Sequence, residues 1–174
     1  GIPAGHGIVG NAWYDRDKET EVYCVADESV QIVGGPADKE PKVSPRLLNS
    51  TTFADENRIA SGFRAKTVAI SAKDRSAILL AGHTGKAIWY SQKSGLFLST
   101  TYYYPHGKLP AWSEKFNATK PADKYFQQTW KPLLDPAEYA APPDDRPFEI
   151  SHPGLGRTFP FVLGKGIKLG PEYY

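Results

Sequence analysis

With 174 residues, 40% of them hydrophobic and 23% charged, the chain is long enough for one domain with a true core, and disorder throughout is excluded. Its 21 basic and 19 acidic side chains leave a net charge of +2 and no basic run interleaves with aromatics, so a nucleic-acid surface finds no support and any attraction for anions must be local. No stretch approaches the roughly 18 apolar residues of a membrane span, which speaks against a membrane partner.

The single cysteine, Cys24, has Val22 and Val25 nearby, cannot close an internal disulfide and reads as a small buried apolar residue. The sequence has no methionine and begins without the charged and apolar regions of a secretion leader, so the expectation is a processed form, an excised fragment or a tag-cleaved form. The 15 prolines and 13% aromatic residues point to long ordered loops pinned by rings rather than a helical bundle.

Residues 1–13, GIPAGHGIVGNAW, carry four glycines and Pro3, a density that lets backbone approach a ligand or another segment closely. Asn11 follows with a neutral NH2 donor, which fits substrate binding or an Asx-turn. His6 has no second ligand type at metal-binding spacing and reads as a structural histidine. From Glu19 to Val33, β-branched and aromatic residues alternate with acidic ones in two pieces broken at 26–28, predicting a hairpin. Residues 34–45 form a Pro/Gly loop. Thr52 then caps a helix over 53–61 with Asp55 at its N3 position, Glu56 in the first turn and Gly62 as its stop.

Thr67 to His83, TVAISAKDRSAILLAGH, is the stretch around which the chain is organised. Val68, Ala69 and Ile70 read as a strand over 67–71 buried on both faces, followed at once by Lys73-Asp74-Arg75. In open α/β sheets, ligands collect beyond the carboxyl ends of strands, where two cations would meet an anionic substrate. If the backbone stays extended, Lys73 and Arg75 share one side and Asp74 takes the other. A guanidinium fork can take two phosphate oxygens while an ammonium acts as a point charge beside it. The same triplet also fits a solvated turn.

Ser76–Ala81 is a short apolar piece, and Gly82-His83-Thr84-Gly85 a turn in which His83 is a turn residue or a general base. Segments 86–91 and 96–103 flank Lys93-Ser94-Gly95 as a second hairpin. Pro110–Phe116 is a short helix anchored by Trp112 and Phe116, and 122–130 a further helix or an irregular segment with Tyr125, Phe126 and Trp130 on its apolar side. Residues 132–147 are an acidic, Pro-rich loop. The rest is loop with at most one short strand, at Phe159–Leu163. Asn49 and Asn117 open sequences that match the glycosylation sequon.

Two separated motifs, PAGHGIVGNAWY at 3–14 and ISAKDRSAILLAGHTGKAIWY at 70–90, resemble bacterial alkaline phosphatases of the type I phosphodiesterase/nucleotide pyrophosphatase family, the phosphate-irrepressible type. Further likeness follows in the same order at Ser99–Tyr103, Leu109–Trp112 and Phe116-Asn117. The resemblance implies an α/β fold, here a fragment of an alkaline-phosphatase-like sheet-and-helix core with an inserted α+β substrate-binding subdomain and long ordered loops. It implies a zinc-dependent hydrolase of phosphate monoesters, with two zinc ions and a threonine nucleophile that forms a covalent phosphoenzyme. The roles of phosphate ligands then fall on Asn11, Lys73 and Arg75.

The family's nucleophile would lie before Gly1, and its zinc-binding Asp and His motifs do not occur in this chain. The expectation is therefore a single partial domain over 1–174, divided into the Gly-rich loop 1–18, the central region 19–131 and the Pro/Gly-rich loops 132–174. It should be inactive alone and bind no zinc, its parent acting in the periplasm or outside the cell. Any complete metal site would have to draw on His6, His83, His106 or His152. Truncated apolar surface could also support dimerisation. Two alternatives stay open: a nucleotide phosphodiesterase whose aromatic residues near 89–112 stack on a base, and a non-catalytic binding module.

Overall fold

The computed structural model describes residues 2–38, 40–139, 145–151, 155–170 and 173. Pro3 fits the first turn of a short helix, α1 (Pro3–His6), which Gly7 ends at φ 80°. A Cβ on Gly7 would lie 2.6 Å from Asn49 Nδ2 and 3.0 Å from Leu47 O. Glycine thus lets this segment lie against the 47–49 loop, where Asn49 N donates to His6 O.

Strands β1 (Ala12–Asp15) and β2 (Thr20–Tyr23) pair antiparallel, and the Asp15 carboxylate accepts from Asp17 N and Lys18 N in the turn between them. This corrects the hairpin expected over 19–33. Its second piece, β3 (Ile32–Val33), joins a different sheet. The cause is Asp27, buried between the two pieces, which accepts from Ser29 Oγ and Ser44 Oγ and pairs with Arg46, turning the chain toward the 42–46 segment. Burial pushes the Asp27 carboxyl up, and these hydrogen bonds outweigh it, leaving the group below the usual carboxylate range.

Helix α2 (Phe53–Ala60) starts where Thr52 predicts, with both halves of the capping box formed. Next come β4 (Val68–Ser71), α3 (Asp74–Ala81), β5 (Lys86–Tyr90) and β6 (Phe97–Thr100). The sheet order is β3-β6-β5-β4, with β4 and β5 parallel and the other neighbours antiparallel. The short apolar piece after the cations is therefore the crossover helix of a βαβ unit, as the parallel pair demands. Its Ala77, Ile78 and Ala81 are buried with Ala87, Trp89, Leu98, Val25, Val43 and Tyr103 in the core. Cys24 is buried there too, 2% exposed, as its surroundings predict.

Strand β4 departs from expectation. It is an edge strand with Val68 and Ile70 52% and 55% exposed, facing an open groove shared with Phe53 and Leu80. The strand covered on both faces is β5, whose Ala87, Ile88 and Trp89 are at most 3% exposed. An apolar β-branched run does not say which strand has two neighbours.

Helix α4 (Ala111–Ala118) has Pro110 as its N-cap. Trp112 does not anchor it, being exposed; Phe116 packs edge-on against Phe97, and the Asn117 side chain donates to Phe97 O and accepts from Phe97 N, both at 2.8 Å. The Asn117 sequon amide is thus engaged inside the fold. Of the two alternatives at 122–130, a helix or an irregular segment, the second fits: one 3-10 turn, Asp123–Tyr125, precedes strand β7 (Thr129–Trp130), which pairs with β8 (Phe161–Val162) in the one late strand expected. The whole is mixed α/β, as expected. Among the described residues no helix is long and apolar enough to cross a membrane.

Candidate functional site

The cationic triplet sits where β4 hands over to α3. Lys73, still extended at φ −128° and ψ 140°, is the N-cap, and Asp74 and Arg75 are already helical. The expectation of an extended triplet with Lys73 and Arg75 on one side is therefore corrected. Asp74 brings an acidic group to the positive end of the helix, and its Oδ1 accepts from Arg75 N at 2.7 Å. Lys73 N donates to Ser71 Oγ at 3.3 Å, while the exposed Lys73 ammonium has no partner among the described residues.

Arg75 is half-buried, and its Nη1 donates to the Tyr23 hydroxyl at 3.3 Å. Tyr23 Oη in turn donates to Asp74 Oδ1 at 2.7 Å. Burial pushes the Tyr23 hydroxyl up, Arg75 opposes and Asp74 adds to the rise, placing it at about 12. The phenol accordingly keeps its proton and can serve as donor and acceptor together.

Tyr23 also leads back to Asn11. In the β1–β2 register Tyr23 lies opposite Ala12, and Cys24 N donates to Asn11 O at 3.0 Å. Asn11 is exposed, and its side-chain amide has no partner among the described residues, so no Asx-turn uses it. The fold thus ties Arg75 to the hairpin that carries Asn11, while Lys73 is held through its backbone one residue before Asp74. Neither Tyr23 nor the orienting part of Asp74 is legible in the sequence, because the contact spans 51 positions and no local pattern announces it.

At the other end of α3, Asp55 is 1% exposed. Its carboxylate accepts from Thr52 N, His83 N, Thr84 N and Thr84 Oγ1 at 2.7 to 3.2 Å. Burial pushes this carboxyl up, but the hydrogen bonds from Thr52, Thr84 and His83 win and hold it at about 2. His83 is therefore a turn residue through its backbone, with Nδ1 3.5 Å from Tyr102 Oη. His6 Nδ1 accepts from Ile8 N at 3.1 Å, the structural role expected of it. His106 is exposed, and His152 lies outside the described residues.

A metal pair needs several converging carboxylate, imidazole or thiolate donors. Among the described residues no three His, Cys, Asp or Glu side chains converge in that way. The two buried carboxylates, Asp27 and Asp55, already have their oxygens filled by this chain's own donors. These residues do not fit a zinc pair.

Comparison with known proteins follows the same lines. The model of the family "Type I phosphodiesterase / nucleotide pyrophosphatase" matches residues 2–155. The chain is 42% identical over 165 residues to alkaline phosphatase PhoV of Synechococcus elongatus, covering 93% of this chain and 30% of that protein. It is 40% identical over 146 residues to alkaline phosphatase PafA of Elizabethkingia meningoseptica, covering 83% of this chain and 26% of PafA. The crystal structure of wild-type PafA superposes with a TM-score of 0.83 over 92% of this chain and 31% of that chain, at 38% identity. A second PafA structure, with the same TM-score, carries a threonine replaced by serine and an asparagine, a lysine and an arginine each replaced by alanine. The chain spans less than a third of the length of these relatives, and its mixed α/β architecture is that of the PafA fold. Fold, motifs and the family match across 2–155 agree: the chain belongs to the type I phosphodiesterase/nucleotide pyrophosphatase family, within the alkaline phosphatase superfamily.

Proposed function

We propose that this chain is the phosphate-gripping part of a zinc-dependent alkaline phosphatase that hydrolyses phosphate monoesters through a covalent phosphoenzyme. Asn11, Lys73 and Arg75 are its ligands for the non-bridging phosphoryl oxygens. The observation that carries the reading is the junction of β4 and α3, where an exposed ammonium and a half-buried guanidinium stand at a helix N-terminus tied by Tyr23 to the Asn11 hairpin. A helix N-terminus favours anions, and the two cations and the Asn11 amide would add charge and hydrogen-bond donors for them. The substituted PafA supports it further: its asparagine and lysine have the same spacing in sequence as Asn11 and Lys73, and one residue separates its lysine and arginine, as in Lys73-Asp74-Arg75.

Three donors suit a terminal phosphoryl group, whose extra charge and free oxygens a diester lacks. In the full-length protein, Arg75→Ala should lower kcat/KM for p-nitrophenyl phosphate about 100-fold or more and for a p-nitrophenyl diester much less. Lys73→Ala and Asn11→Ala should act in the same direction. Monoester turnover within twofold of wild type in all three would remove the clamp. In the rival reading, in which aromatic residues near 89–112 stack on a base, Trp89 and Tyr103 are core residues at most 3% exposed, which leaves the exposed Tyr102 and Trp112 as its candidates.

The nucleophile and the residues for two zinc ions belong, in this reading, to other parts of the full-length protein, which acts in the periplasm or outside the cell. The 174-residue chain alone should show no bound zinc by elemental analysis and no phosphatase activity. Zinc with turnover in this chain would sink that part of the reading.

A further inference from the structure

We propose that Tyr23 is a positioning residue of the oxyanion clamp, its hydroxyl fixing where the Arg75 guanidinium stands relative to Asn11. This rests on the reading of Arg75 as a phosphate ligand. A guanidinium on a long flexible stem binds a tetrahedral oxyanion well only if its plane is set beforehand. Among the described residues, Arg75 Nη1 has one hydrogen-bond partner, Tyr23 Oη, and the other guanidinium nitrogens have none, which leaves them available to a ligand.

The direction of the relay is fixed by counting protons. A phenol has one, and Tyr23 gives it to Asp74 Oδ1 at 2.7 Å, so the oxygen lone pair is what faces Arg75 Nη1 at 3.3 Å. Asp74 and Arg75 form no direct ion pair among the described residues; the phenol stands between them. A carboxylate held directly on the guanidinium would fill the donors that an oxyanion needs. The phenol orients the group while leaving its charge unspent.

Register supplies the second half. Tyr23 is opposite Ala12 in an antiparallel pair, and the next residue, Cys24, donates its N–H to Asn11 O. A rigid ring with two rotatable bonds therefore spans from the strand beside Asn11 to the first turn of α3. Burial keeps the hydroxyl protonated through the alkaline range, so the relay does not reverse there.

The test is Tyr23→Phe in the full-length protein, which removes the hydroxyl and keeps the ring. It should lower kcat/KM for p-nitrophenyl phosphate about tenfold and weaken inhibition by inorganic phosphate by a similar factor. In an Arg75→Ala background the same change should cost less than twofold, whereas in a Lys73→Ala background it should keep its full effect. Asp74→Asn, which retains an oxygen acceptor, should keep more activity than Asp74→Ala. A Tyr23→Phe protein within twofold of wild type overturns the positioning role, as does an equal loss in both backgrounds, which would mark a merely structural residue. If Arg75→Ala itself leaves turnover unchanged, it is the clamp that fails, and the positioning role falls with it.

Discussion

The two ends of α3 use the same parts to opposite ends. At its C-terminus a buried carboxylate, Asp55, is surrounded by donors until no oxygen is left over. Gly82 is there at φ 65° because a Cβ would lie 2.0 Å from Asp55 Oδ2, and Tyr103 Oη donates to Gly82 O at 3.0 Å. At its N-terminus a half-buried carboxylate, Asp74, is engaged by one phenol and one amide, and the two cations beside it keep donors in hand. A filled set of hydrogen bonds stabilises and binds nothing further; an unfilled set on a fixed frame adds little stability and leaves room for a ligand.

The sharpest way to break this contrast is Asp55→Ala. It strands Thr52 N, His83 N and Thr84 N in a buried site, and the α2–α3 contact should lose about 3 to 4 kcal/mol. Native-state hydrogen exchange over 78–85 in the full-length protein would show it as faster exchange of the last turn of α3. Arg75→Ala should leave the same amides unchanged within about 0.5 kcal/mol while abolishing most turnover. Equal effects of the two changes on exchange would mean that the ends are not divided between stability and binding.

How much of this was legible depends on how far each signal reaches along the chain. The Thr52–Asp55 capping box lies within one helical turn, and the helix it predicts is present at 53–60. The hairpin around Lys93-Ser94-Gly95 is also local and forms as β5 and β6. The 19–33 hairpin failed because Asp27 finds Ser44 and Arg46 far along the sequence, and β4 failed as a doubly covered strand because coverage is a property of its neighbours. At the candidate site, the motifs single out Asn11, Lys73 and Arg75 as candidates. The Tyr23 hydroxyl that joins two of their segments could not, since tyrosines in strands are ordinarily half-buried packing residues. Asp55 was visible as a cap, but its grip on 83–84 spans 28 and 29 positions and left no mark in the local pattern.

Acid offers a smaller and graded test of the same contrast. Asp55 titrates at about 2 in the folded protein against 3.8 ordinarily, so the unfolded chain takes up the proton first. The contribution is fully present above about pH 4 and is lost as pH falls toward 2; by linkage it amounts to about 2 kcal/mol. Exchange over 78–85, corrected for the intrinsic pH dependence of amide rates, should therefore be level from pH 6 to about 4 and then accelerate. Asp27 is also held low, but it reports on 26–46 rather than on α3, so the two carboxylates separate by segment. In Asp55→Asn the 78–85 segment should start less protected and show no acid step, because the titrating group is gone. A step that persisted in that variant would assign the acid sensitivity of this segment to another carboxyl and leave the C-terminal end of α3 without its proposed keystone.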